Sequence, residues 1–509
     1  MSARRRTDAA PRAERRVIAR VQRLAGAVLG PSTSFRGVML FGTGTRLFAL
    51  GAQFVVLVVL ARVLSKGAFG DAMTVFAFYR IGSLGLGTGL SYVILYHVSR
   101  TPDDKVAEIR FHRTVAAVGA AIGIAIAVLV ALAAPLIATG VFGKPSLAPW
   151  FVSFAPFMVF STLITVATGA LDGRSRITES LMVSEAAPNA LRLALLPIGA
   201  LLALPDTMVA HVMTLSVALP WLWTARRLLD RSVQGFAPLR RWDASYAAKF
   251  VLFSFSSLTL QGFDMLVVGA LFSSETVADY AVASRLAVLY PFFQQIVVRR
   301  FSPTAGRLLH LGDHQRLQEE VDACRRASII AVAISIAAII GPLPLALQLL
   351  GNYHDAIPIA ILLALPPTIR SVYASVDRVL QMAGYANWAL AIQLTALSTV
   401  ILFPLATHQV LGVASIPIAM TLASLALNPI SSTVLRRRLD VKTIGARDIV
   451  LVAVAGAAVF VAVALPAGWL PSLVVAVTYL GIAAGTYLIS RKGSVAGLTG
   501  ERQSTAEGR

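Results

Sequence analysis

The chain is a succession of long apolar stretches, and this constrains its fold more than any other feature. About fourteen of them are long enough to cross the hydrocarbon of a bilayer. They lie near residues 37–61, 69–96, 114–139, 147–171, 179–204, 207–227, 247–272, 276–300, 326–350, 356–380, 385–407, 410–434, 448–467 and 470–490. No water reaches a backbone N–H or C=O at that depth, so the hydrogen bonds must close within each crossing. The expected fold class is therefore an all-α polytopic membrane protein with about 14 transmembrane helices. Only 14% of the 509 residues are charged and 57% are hydrophobic, too little polar surface for a soluble protein of this size.

The net charge of +20 is spread between the apolar spans and not gathered in a patch, so it marks membrane topology and excludes nucleic acid as a partner. One side collects nine arginines before residue 37, then Arg100, Lys105, Arg110, Arg113, Arg174 and Arg176, and the run from Arg226 to Arg241. It also collects Arg299 to Arg326, Arg378, Arg436 to Arg438, Lys442, Arg447, Arg491 and Lys492. The other side has only Arg62, Lys66 and Lys144, and its connectors near 205, 352, 408 and 468 have no Lys or Arg. The positive-inside rule puts both termini in the cytoplasm and requires an even number of spans. The segment 15–29 has the spacing of an amphipathic helix lying on an anionic leaflet, and a disordered basic tail is the other reading. No signal-peptide pattern precedes the first span.

A weak internal repeat organises the spans. Val63-Leu-Ser-Lys-Gly-Ala-Phe-Gly-Asp-Ala72 aligns with Leu271-Phe-Ser-Ser-Glu-Thr-Val-Ala-Asp-Tyr280 at a shift of 208 residues, matching Ser65 to Ser273 and Asp71 to Asp279. Each copy follows an apolar span and opens the next, as expected of repeated transporter halves. The expected units are a basic segment over 1–36, a first lobe over 37–230 (spans 1–6), a linker over 231–246 and a second lobe over 247–435 (spans 7–12). An appended pair over 446–490 (spans 13 and 14) and a tail over 491–509 complete the chain. The longest connector, 301–325, is too short for a soluble domain.

Ionisable side chains inside the spans are the candidates for function, because each is costly there unless it meets a partner or a polar cavity. At about 1.5 Å per residue, Arg46 and Arg80 lie about 24 and 18 Å from the connector 62–67, at overlapping depths. They are either structural arginines held by carbonyls or the cationic lining of a site for an anionic substrate. Asp264 and Arg285 come to equal depth about the turn between spans 7 and 8. They form a buried ion pair, or Asp264 takes H⁺ or Na⁺ as coupling ion and frees Arg285 for substrate. Span 5 offers Glu185 and Arg192 on one face with Pro188 between them, and span 10 offers Arg370 behind Pro366-Pro367.

Enzyme chemistry is not legible here. The chain has no Gly-x-x-x-x-Gly-Lys-Ser/Thr phosphate loop, no His-Glu-x-x-His, no Gly-x-Ser-x-Gly and a single cysteine, Cys324. No cofactor or metal is expected. The glycine-rich run Gly82, Gly85, Gly87 and Gly89 lies inside span 2 and reads as close helix packing or a hinge.

The basic N-terminus, the turn Leu60-Ala-Arg-Val-Leu-Ser-Lys-Gly-Ala-Phe-Gly70 and the following Gly85-Leu-Gly together resemble a known family. It is the polysaccharide-transporter, Wzx-like branch of the multidrug/oligosaccharidyl-lipid/polysaccharide (MOP) flippase superfamily. Ala278-Asp-Tyr-Ala-Val-Ala-Ser-Arg-Leu286 resembles that family's "G-x-Y-x-x-A-x-R-L", with Ala278 in place of the glycine. The resemblance covers spans 1–12. It implies two pseudo-symmetric six-helix lobes in a V-shaped, MATE-like arrangement that alternates access across the bacterial inner membrane. It also implies a substrate, undecaprenyl-diphosphate-linked oligosaccharide, and partners among membrane lipids and polysaccharide polymerase or export proteins. Alternatives are a lipid II flippase, a MATE-type drug/cation antiporter and a non-transporting scaffold of a polysaccharide-synthesis complex.

Overall fold

The computed structural model describes residues 35–506 apart from 101–103, 175, 203–204, 230–231, 239–244, 246, 249–250, 252–261, 352, 374–375, 377–378, 381–382 and 384. The basic N-terminal segment, much of the 231–246 linker and most of the first two-thirds of span 7 lie outside the described residues. Helix is present in every predicted span, and no strand occurs among the described residues. In chain order the helices are α1 (Phe35–Val63), α2 (Lys66–Arg100), α3 (Lys105–Leu132), α4 (Ala134–Gly140), α5 (Leu147–Gly173), α6 (Ile177–Leu181), α7 (Ala187–Leu201) and α8 (Met208–Leu228). After the linker come α9 (Phe263–Leu271), α10 (Ser274–Ala287), α11 (Phe292–Leu311), α12 (His314–Ile340), α13 (Leu343–Leu350), α14 (Ala356–Leu362) and α15 (Leu365–Val372). The chain closes with α16 (Ala386–Leu411), α17 (Ser415–Leu439), α18 (Ala446–Ala464) and α19 (Trp469–Ala506).

Several spans are broken where the sequence suggests one rod. A proline stands at each break, where it lacks a donor and suits a first helical turn, although Pro156, Pro197, Pro220, Pro404 and Pro429 are carried inside unbroken helices. Pro135 opens α4, Pro344 opens α13, and Pro366-Pro367 open α15. Span 8 bends by 40° where α10 gives way to α11 at Pro291. Span 5 joins α6 to α7 through a π-helical turn, Met182–Ala186, just before Pro188. Among the described residues eight helical stretches are individually long and apolar enough to cross a membrane, and the bent pair brings the number to nine. The connector expected at 301–325 proves helical. α11 runs to Leu311, Gly312 turns the chain in the left-handed region (φ 69°), and Asp313 caps α12 by accepting from Arg316 N at 3.1 Å.

The two copies of the repeat start their helices alike. Ser65 Oγ accepts from Ala68 N at 3.2 Å, and Ser273 Oγ accepts from Thr276 N at 3.4 Å. The first of these helices, α2, is deeply packed. It lies along α5, with Tyr79 Oη donating to Phe151 O at 2.7 Å and Phe76 set against Phe154 and Phe157. The glycines of α2 serve close packing: a Cβ on Gly87 would stand 2.8 Å from Thr165 Cβ. On its other flank α2 packs against α9 and α10, joining the two halves of the chain.

The last two helices are built into the molecule. α19 packs along α12, and Tyr479 Oη shares a buried 2.8 Å hydrogen bond with Thr368 Oγ1. At the arginine-rich end Arg325 Nη1 donates to Thr443 O at 3.1 Å and lies beside Asp448, fixing the entry into α18. Tyr479→Phe is expected to cost about 1 kcal/mol, the usual net worth of one hydrogen bond, read as a lower unfolding temperature in detergent.

Candidate functional site

Three of the predicted arginines come together. Arg80 on α2, Arg192 on α7 and Arg285 on α10 repel one another electrostatically, so helices from both halves of the chain bring positive charge to one place. Arg80 is exposed by surface area. Among the described residues its guanidinium has no hydrogen-bond or ion-pair partner. Arg192 is half-buried, and its Nε donates to Ser216 Oγ at 2.9 Å, with Ser216 in turn donating to Met213 O. Arg285 is half-buried with its guanidinium carbon 5.9 Å from the centre of the Phe76 ring, a contact that reaches from α10 across to α2.

The expected ion pair between Asp264 and Arg285 is replaced by a different arrangement. Asp264 lies in the first turn of α9 and accepts from Tyr280 Oη at 2.6 Å. Arg285 feels the Asp264 charge without a direct salt bridge to it. The reason is azimuth: equal depth along two helices does not point two side chains at each other, and Tyr280 holds the position facing Asp264. Glu185 sits in the π-helical turn, where its carbonyl accepts from Asn189 Nδ2 at 2.7 Å. Arg370 is exposed at the end of α15 and does not join the cluster. Arg46 belongs to α1, but its side chain lies outside the described residues. Sequence reasoning missed Tyr280, Phe76 and Ser216. Tyr280 had a signal, its place in the motif that also contains Arg285, whereas Ser216 had none.

At the arginine-poor end the two halves are clamped. Lys66 Nζ pairs with Asp279 Oδ2 at 2.8 Å, and Ser274 Oγ donates to Asp71, so both repeat copies take part. Arg62 donates to the carbonyls of Leu349 (2.7 Å) and Gln348 (3.1 Å), and Lys144 Nζ donates to Gly269 O at 2.9 Å. Burial pushes the Lys144 ammonium below its usual range while the Asp71 carboxylate pulls it back up; burial and Asp279 push the Tyr353 phenol up to about 12. Lys66 lies 5.5 Å over the Tyr353 ring. Glycine makes the approach possible: a Cβ on Gly70 would stand 1.9 Å from Ser274 O, and one on Gly269 would stand 2.5 Å from Thr74 Cγ2.

The fold, many apolar helices whose two halves are joined at the arginine-poor end, is shared by solved structures. The lipid II flippase MurJ in an inward closed conformation superposes with a TM-score of 0.70 at 12% identity, over 90% of this chain and 100% of that one. An inward-facing multidrug resistance MATE family transporter of the MOP superfamily gives 0.64 at 16% identity, over 77% and 94%. An outward-facing multidrug resistance MATE family transporter gives 0.57 at 15% identity, over 81% and 97%. Comparison with curated protein sequences returns no match. The family model described as polysaccharide biosynthesis protein matches residues 59–358, more than half of the chain, and the chain belongs to that family.

Proposed function

We propose that this protein is an alternating-access flippase that carries undecaprenyl-diphosphate-linked oligosaccharide from the inner to the outer leaflet of the bacterial cytoplasmic membrane, supplying exopolysaccharide synthesis. The observation that carries the reading is that Arg80, Arg192 and Arg285, from both halves of the chain, lie within electrostatic range of one another. A diphosphate is the anion such a cluster suits, because guanidinium groups bind phosphate oxygens by paired charge-assisted hydrogen bonds. Cations would be repelled, which counts against a drug/cation antiporter. The family match favours a polysaccharide precursor over lipid II. In this reading both termini are cytoplasmic, the clamp from Lys66 to Asp279 closes the outer side, and residues 37–230 and 247–435 are the two moving lobes. No covalent bond is made or broken. Asp264 and Glu185 are the positions to test for H⁺ or Na⁺ coupling, and Arg46 and Arg370 for contact with the substrate along its path.

The test is a deletion strain complemented with wild type, Arg80→Gln, Arg192→Gln or Arg285→Gln at matched expression. Polymer should disappear in the deletion, with lipid-linked intermediate held on the cytoplasmic leaflet, and only wild type should restore it. Polymer restored by every arginine variant would assign a scaffold role. Unchanged polymer in the deletion itself, with altered drug sensitivity, would return the antiporter.

A further inference from the structure

Tyr280 is fully buried, yet the only use of its hydroxyl among the described residues is the bond to Asp264. That bond is short, at 2.6 Å. Asp264 has a second stabiliser in its place in the first turn of α9, where the helix dipole favours a carboxylate. The opposite charge on the neighbouring helix of the hairpin is Arg285, and no salt bridge joins the two; Asp264 is held by Tyr280 and Arg285 lies against Phe76. If the two met, Arg285 would be neutralised and lost to any anionic ligand. Tyr280 and Arg285 are five residues apart on α10, about 140° around the helix. Tyr280 therefore turns to Asp264 while Arg285 turns to Phe76 on α2. The aromatic contact leaves the guanidinium's donors unspent, since a ring face attracts the cation without accepting a fixed N–H bond.

We propose that Tyr280 is a positioning residue for headgroup recognition: its hydroxyl restrains the Asp264 carboxylate so that Arg285 stays available to an anionic lipid headgroup. This rests on the flippase reading and adds what that reading lacks, a reason why a carboxylate beside the cationic cluster does not quench it. Tyr280 touches no substrate in this account. It acts through Asp264.

The experiment uses the full chain in detergent and compares binding of undecaprenyl diphosphate with that of undecaprenol, the same lipid without charge, by ligand-induced thermal stabilisation. Wild type should prefer the diphosphate. Tyr280→Phe should bind it about tenfold or more weakly, the scale of one hydrogen bond to a charged group, because the released carboxylate closes on Arg285. Adding Asp264→Asn to Tyr280→Phe should restore binding to near the wild-type value, which a packing defect at Tyr280 would not permit. Asp264→Asn alone, with Tyr280 intact, should bind at least as tightly as wild type. Tyr280→Phe that binds like wild type, or whose weak binding Asp264→Asn fails to rescue, overturns the inference and leaves the flippase reading standing. A wild-type protein with no preference for the diphosphate overturns both.

Discussion

Replacing Arg80 by Gln is expected to abolish transport and at the same time to make the empty protein more stable. The two effects have one cause. Among the described residues the Arg80 guanidinium has no hydrogen-bond or ion-pair partner, and it is repelled by Arg192 and Arg285. Like charges held together in a partly solvated site cost on the order of 1 kcal/mol per pair, so removing one should raise the unfolding temperature by a few degrees. On the proposed flippase function, transport should fall because the anionic headgroup loses one of its three guanidinium partners. Losing one member of a buried, hydrogen-bonded charge pair costs about 2–5 kcal/mol, enough to leave no measurable flipping. Arg80→Lys keeps the charge but not the planar fork and should fall between the two. A loss of stability on Arg80→Gln would mean that the arginine supports the fold, and the cationic cluster would lose its strongest member.

The second large effect is expected at Gly70, where α2 crosses α10. The Cβ of an alanine there would stand 1.9 Å from Ser274 O and 2.8 Å from its carbonyl carbon. Both are backbone atoms, so no rotamer change relieves the clash and α10 must move as a body. Overpacking against backbone costs about 3 kcal/mol, the upper end of the usual range. Its cost falls on the closed arginine-poor end, because Lys66–Asp279 and Ser274–Asp71 are the contacts it wedges apart. With Cys324→Ser and Thr74→Cys as a reporter background, an impermeant maleimide added from the arginine-poor side should label the introduced thiol slowly, because residue 74 is buried where α2 meets α9. Gly70→Ala should speed labelling on the order of a hundredfold, the population change that about 3 kcal/mol produces. Gly67→Ala, at a site with open space around it, should leave the rate unchanged. Equal rates for all three would show that the seam is not a gate.

The sequence by itself determined the class of fold. Backbone groups in hydrocarbon have no partner but each other, so the spans near 37–61 through 470–490 could only be helices, and the uneven spread of Arg and Lys set which connectors share a side. The internal repeat was legible too, down to the paired serines that cap α2 and α10. The proline breaks and the helical course of 301–325 were less so, because span length measures hydrophobicity and not continuity of the rod. What tertiary structure alone decided is which charges meet. Counting residues along a span gives depth, and Arg80, Arg192, Arg285 and Asp264 were found that way. It does not give the rotation of one helix against another. Only packing could turn Arg80 and Arg192 toward Arg285, leave Arg370 apart, and place the Tyr280 hydroxyl between Asp264 and the ion pair it would otherwise have made.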